Sequence, residues 1–193
     1  CFGNASNGDK AGHIKDSVCR NNFFVSSNYD AMVEVSWAED IKVYHNTVLK
    51  TGPKSRNNRG IRVINGCNNK NIEIANNIIA GAGIDLDVAK EHHNYTGPVD
   101  GFFTDPASGN LRLTAAAGAV INKGATISEV AEDFDFNVRD GQPDIGASEF
   151  GAKPKDSGKV ASSSKPNKQT GATSSASSTS GTAAPQAVAP AKA

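Results

Sequence analysis

No run of apolar residues approaches the roughly eighteen that a bilayer-spanning helix needs, so no transmembrane segment is expected. Cysteine is scarce. Cys1, Cys19 and Cys67 form no metal-ligand spacing, and an odd count does not complete a disulfide framework. Cys19 is expected as a small core side chain. There is no glycine-rich phosphate loop, no dinucleotide fingerprint and no Ser/His/Asp pattern for nucleophilic catalysis. Helical periodicity is nearly missing before residue 112. Net charge is also missing: 20 basic residues balance 20 acidic ones.

That balance hides an uneven distribution. Residues 151–193 hold six Lys and one Asp, a net of +5, which leaves −5 on residues 1–150. A mildly acidic body with scattered basic residues does not point to nucleic acid as a partner. The last 43 residues are Ser, Ala, Thr, Pro, Gly and Lys with almost no large apolar side chain, and are expected to be a disordered tail. The chain opens at Cys1-Phe2-Gly3-Asn4 with neither an initiator Met nor a basic-then-apolar leader, and is expected to be a fragment or processed piece. Asn4-Ala5-Ser6 and Asn94-Tyr95-Thr96 are glycosylation sequons.

What is present is a repeat. Asp16–Phe24, Asp40–Val48 and Asn71–Ile79 are short β-type stretches, each with an apolar pair just after an asparagine. Taking Asn22, Asn46 and Asn77 as equivalent gives spacings of 24 and 31 residues, the length of one coil in a stacked architecture. Between them, Ala31–Ser36, Gly60–Ile64 and Gly83–Val88 alternate apolar and polar residues as half-buried strands do. Stacking predicts interior ladders of Val33/Val35, Ile61/Val63 and Ile84/Leu86 on one sheet, and of Ile41/Val43 and Ile72/Ile74 on a second. A β-sandwich is the competing architecture. The Asn21/Asn22, His45/Asn46 and Asn76/Asn77 pairs suit left-handed or bridge conformations at bends, with side chains bonding to a neighbouring turn. The repeat fades after His92-His93-Asn94, and residues 102–150 are placed to cover the last coil.

Ile41–Val48 and Ile72–Ile79 resemble coils of the right-handed parallel β-helix (pectate-lyase-like) superfamily. The segments Phe103–Pro106, Gly109–Leu113, Ala119–Gly124 and Pro143–Glu149 are similar to the C-terminal end of its secreted bacterial-type members, which usually carry Tyr where this chain has Ser148. The resemblance covers about residues 12–150. It implies an all-β fold: a right-handed parallel β-helix solenoid over 1–101, a C-terminal end and cap over 102–150, and the disordered tail over 151–193. It also implies a secreted, extracellular protein. In the alginate- and chondroitin-lyase-like branch a Glu-bearing strand is followed by a Ser and a catalytic Lys, with an Arg on a later coil. Glu34 and Ser36 look like the first two and Arg62 like the last. Trp37-Ala38-Glu39 stands where that Lys would be.

The stacking also selects a candidate site. Glu34, Arg62 and Asp85 would occupy adjacent outward rungs about 4.8 Å apart, with Asp87 on the same side of its strand as Asp85. Carboxylates on one open face suit Ca²⁺, so Glu34, Asp85 and Asp87 are candidate ligands. A uronate polymer lying there would have its carboxylate neutralised by Ca²⁺ or Arg62 while a base removes the C5 proton. The catalytic candidates are Arg62 and Glu34, with His92 as a possible base. Trp37 and Tyr44 are candidates for stacking on sugar rings, and Lys54 and Arg56 in the basic loop Lys50–Arg59 for binding acidic glycan. An ordinary cross-strand ion ladder is the plainer account of Glu34, Arg62 and Asp85. Three functions follow: a lyase cleaving acidic polysaccharide by β-elimination, a non-catalytic module that binds cell-surface glycan or serves adhesion, and, less favoured, a hydrolase using Asp85 and Asp87.

Overall fold

A computed structural model describes residues 14–27, 30–53, 58–64, 67–86 and 88–152. The chain divides into two units, Cys1–Ser157 and Gly158–Ala193, and every described residue belongs to the first. Asp87, Lys54, Arg56 and the tail beyond residue 152 lie outside the described residues.

The described chain is all-β, without an α-helix, and three of its four sheets are parallel. Sheet 1 contains β1 (Ile14–Arg20), β4 (Ala38–Tyr44), β7 (Lys70–Ala75) and β10 (Lys90–His92). Sheet 2 contains β2 (Phe23–Ser26), β5 (Thr47–Lys50) and β8 (Ile78–Ala80), and sheet 3 contains β3 (Val33–Val35), β6 (Arg59–Val63) and β9 (Gly83–Asp85). The chain therefore visits sheets 1, 2 and 3 in the same order three times before returning to sheet 1. No helix among the described residues is long and apolar enough to cross a membrane.

Register explains the alternation in sequence. Val33 lies beside Ile61 and Ile61 beside Ile84; Val35 lies beside Val63. On sheet 1, Ile41 pairs with Ile72 and Val43 with both Cys19 and Ile74. On sheet 2, Phe24, Val48 and Ile79 stack in line. These residues form one core cluster, and each fully buried Val or Ile contributes roughly 1.5–3 kcal/mol relative to exposure. Leu86 packs against that core just beyond the end of β9.

The bends between sheets 1 and 2 are built by pairs of residues. The first of each pair, Asn21, His45, Asn76 and His93, is left-handed, with φ of 54°, 49°, 58° and 53°. Asn, Asp and His tolerate that region better than other non-glycine residues. The second residue is always Asn. Asn46 Oδ1 accepts from the backbone N–H of Asn22 (3.1 Å) and from its Nδ2 (2.9 Å). Asn77 Oδ1 does the same for Asn46 (2.9 and 3.0 Å), and Asn94 Oδ1 for Asn77 (both 2.9 Å). Each Nδ2 also donates to strand carbonyls, as Asn46 does to Cys19 and Asn77 to Val43 (both 2.9 Å). The repeat closes a fourth rung at Asn94, 17 residues after Asn77, and among the described residues no strand of the three parallel sheets follows it. Asn94 Nδ2 donates to the Ile74 carbonyl at 2.8 Å.

Residues 102–150 cover flanks of this stack. The antiparallel pair β11 (Phe103–Asp105) and β12 (Asn110–Leu113) joins Phe102, Ala117, Val120 and Ile145 in a second core against Leu49 and Ile78 of sheet 2. The chain then runs along three successive bends. Arg20 donates to Glu129 O, Asn21 to Glu132 O and Asn76 to Ala125 O, while Gly146 N–H donates to Asn76 O. The left-handed bends leave polar groups that this strap satisfies. A Cβ on Gly146, whose φ is +102°, would stand 2.7 Å from Ile78 Cδ1 and 2.9 Å from Thr47 Oγ1, so the approach requires glycine. The buried Arg139–Glu149 pair (2.8 Å) tightens the strap, and Asp133 caps its turn by accepting from the N–H groups of Asp135, Asn137 and Glu149.

His45 sits under this strap. Asn76 Nδ2 donates to its Nε2 at 2.7 Å, and its Nδ1–H faces Gly146 O at 3.3 Å. Burial, followed by the nearby Arg139 charge, pushes its pKa down to about 3. The unfolded chain protonates first, so the stability tied to neutral His45 is complete above about pH 6.5 and drains away as pH falls toward 3. His45→Asn, which matches Asn21 and Asn76 at the neighbouring bends, should remove this dependence. Between pH 7 and 4.5, urea unfolding should show the native chain losing roughly 2–3 kcal/mol more than the variant; equal losses would contradict the assignment. Asn46→Ala, which strips partners from Asn22 N–H and Cys19 O, should cost roughly 3 kcal/mol in the same assay, and a loss under about 1 kcal/mol would argue against a structural ladder.

Candidate functional site

Glu34, Arg62 and Asp85 are laterally paired on β3, β6 and β9, in the order the alternation predicts. The side chains form a wider network. Arg62 Nη1 lies 3.5 Å from Glu34 Oε2 and 3.6 Å from Asp30 Oδ2. Arg59 Nε meets Asp85 Oδ2 at 2.9 Å, and its Nη1 meets Asp30 Oδ1 at 3.3 Å. Two guanidinium groups thus serve three carboxylates, all partly exposed. The Arg62 contacts exceed good hydrogen-bond length, and its buried Nε has no partner among the described residues. Asp30 and Arg59 are the residues the alternation missed; Arg59 starts β6 and gave no separate periodic signal.

The backbones carrying Glu34 and Asp85 stand two rungs apart, about 9–10 Å, with Arg62 between them. Asp87, the third expected ligand, lies outside the described residues. Among the described residues no three His, Cys, Asp or Glu side chains are grouped to hold one ion.

The catalytic candidates do not converge either. Arg62 and Glu34 are on sheet 3, but His92 ends β10 on sheet 1. There its Nε2 lies 2.9 Å from Glu73 Oε1, while Tyr44 Oη donates to Glu73 Oε2 at 2.7 Å. The His92 contact foremost, with Tyr44 and Lys90 assisting, holds the Glu73 carboxyl down to about 2. Burial and then Glu73 keep the Tyr44 phenol protonated well above its ordinary range. Glu73 is a functional group that sequence reading missed. The signal for it is the 17-residue return from Asn77 to Asn94, which sets Lys90 beside Glu73.

Tyr44 is a correction. It lies on the outward side of β4, yet it is 3% exposed because Val130 and Ile127 of the strap pack on it, leaving no ring face for a sugar. Trp37 stands two residues beyond β3, half-buried, at φ 52°, near the end of the sheet that carries the ion ladder. Lys54 and Arg56 fall outside the described residues. Ser36 is fully buried, with no hydrogen-bond partner for its hydroxyl among the described residues.

No family model, no curated protein and no solved structure matches this chain.

Partly exposed ion pairs contribute little to stability. Arg62→Ala should accordingly change the unfolding free energy by less than about 1 kcal/mol in urea titration. A loss of several kcal/mol would make the ladder part of the scaffold.

Proposed function

We propose that this chain is part of a secreted, right-handed parallel β-helix protein and that sheet 3 binds acidic polysaccharide of the uronate class. The observation that carries the proposal is the in-register row Glu34–Arg62–Asp85 with Arg59 beside it. Arg62 is held by long contacts, so a polymer carboxylate can take its guanidinium in a charge-assisted, two-toothed pair at little cost. Glu34 and Asp85 on the flanking rungs would accept from sugar hydroxyls and repel carboxylates placed out of register. Trp37, near the end of the same sheet, is the aromatic candidate for a sugar ring. The handedness and the extracellular setting belong to this proposal, and the same-order visits to three parallel sheets support its architecture.

Binding is favoured over elimination on this sheet. The strand residues of β3, β6 and β9 include no Lys, His or Tyr to remove a C5 proton. A lyase reading has one observation in its favour, the Glu73–His92 pair, in which a carboxylate orients an imidazole. That pair lies on sheet 1, so elimination there would need a glycan path separate from the arginines.

Gel retardation of the full chain in polygalacturonate, alginate and chondroitin sulfate tests both, with Ca²⁺ or chelator, while ultraviolet absorbance reports unsaturated ends. Retardation by at least one polymer, weakened about tenfold or more by Arg62→Ala without new absorbance, is the expected result. No retardation by any of the three would remove the proposal, and absorbance that rises and is lost in His92→Ala would replace it with the lyase.

A further inference from the structure

The rings of His92 and His93 converge. Side chains of adjacent residues in an extended strand point apart, but His93 occupies the left-handed slot of the fourth bend, at φ 53°. That twist brings His93 Nδ1 to 3.1 Å from His92 Nδ1, with the ring planes at 89°. The backbone on either side is fixed: β10 pairs with β7, and Asn94 is tied into the asparagine ladder. The other nitrogen of His92 is also spoken for, because Nε2 faces Glu73 Oε1 at 2.9 Å and the ionised carboxylate accepts its proton. The tautomer that satisfies Glu73 leaves a lone pair on His92 Nδ1, the nitrogen that lies 3.1 Å from His93 Nδ1.

From this arrangement we infer a binding site for one divalent transition-metal ion of the imidazole-preferring class, Cu²⁺, Ni²⁺ or Zn²⁺, held by His92 Nδ1 and His93 Nδ1 with Glu73 as the outer carboxylate. Two nitrogens 3.1 Å apart, each at about 2.0–2.1 Å from an ion, subtend about 100° at it, between square and tetrahedral geometry. A carboxylate on the far nitrogen of a ligating histidine fixes the tautomer and raises its basicity. Tyr44 Oη, at 2.7 Å, and Lys90 hold that carboxylate in turn. His93 is exposed, so water completes the coordination and the ion exchanges with solvent. The simpler account of the same geometry is one hydrogen bond from His93 Nδ1–H to His92 Nδ1, with no ion involved. The site is independent of the glycan proposal, since it lies on sheet 1 and uses none of the sheet 3 residues.

The test titrates Cu²⁺ into the full chain by calorimetry and records its electron paramagnetic resonance spectrum. His93→Asn is the preferred variant, because Asn already fills the same slot at positions 21 and 76. Circular dichroism of each variant confirms that it folds. One equivalent of Cu²⁺ with two-nitrogen coupling is expected, and His93→Asn and His92→Ala should each weaken binding at least tenfold. Glu73→Gln should weaken it about tenfold while keeping both nitrogens, the sign of an outer-shell role. Native chain and the folded His92→Ala/His93→Asn double variant binding Cu²⁺ alike would overturn the inference. So would a native spectrum without coupling to two nitrogens.

Discussion

The constraint on which this structure depends is the satisfaction of backbone amides at the first three of four bends. A left-handed residue turns the chain out of sheet 1, and the next N–H is met by a side-chain oxygen rather than by a strand carbonyl. An unpaired buried amide costs about 1–3 kcal/mol. At the first three bends the chain removes that cost with the side-chain oxygen of the following rung's asparagine, which accepts from both Nδ2 and the backbone N–H below. The amide side chains of Asn22, Asn46, Asn77 and Asn94 thereby fix which residues of successive strands lie side by side. Sheet register, the apolar ladders and the alignment of polar residues on sheet 3 follow from that one spacing.

The bends also determine which surfaces remain for function. Asn21, His45 and Asn76 present polar groups sideways, and residues 121–150 lie over them with Arg139, Glu149 and Gly146 at the contact. That strap packs Val130 and Ile127 on Tyr44 and Ala75 of sheet 1 and removes them from solvent. It does not reach the fourth bend in the same way, where His93 is exposed beside His92. Sheet 3 keeps its charged row. The two places with chemistry to offer are therefore on different sheets, one rich in guanidinium groups and the other in imidazole. A mechanism that needs Arg62 and His92 on one substrate atom is incompatible with this layout.

Much of the scaffold was legible because β-strand alternation and a fixed bend leave a period in the sequence. Asn22, Asn46 and Asn77 mark it, and the alignment of Val33 with Ile61 and Ile84 survives the interruption of Lys50–Asn58. The fourth rung was not legible, since the interval shrinks from 31 to 17 residues and Asn94 then falls outside the expected phase. Nor could alternation reveal the fate of Tyr44, which shares the outward side of β4 with Lys42 until Val130 covers it. The site was legible as a row of residues but not as a network. Asp30 and Arg59 enter it through side-chain reach, which a period of two does not encode. His92 and His93 converge through the left-handed dihedral at the fourth bend, which strand alternation does not encode.

Native-state hydrogen exchange on the backbone amides of Asn22, Asn46 and Asn77 tests the central constraint most directly. Their acceptors are side-chain oxygens in the interior, so their protection should match that of the core-strand amides Ile41–Val43 and Ile72–Ile74 and be lost only with global unfolding. Exchange several orders of magnitude faster than those strands, at the rate of ordinary surface turns, would show that the bends open on their own and that the asparagine ladder does not hold the register.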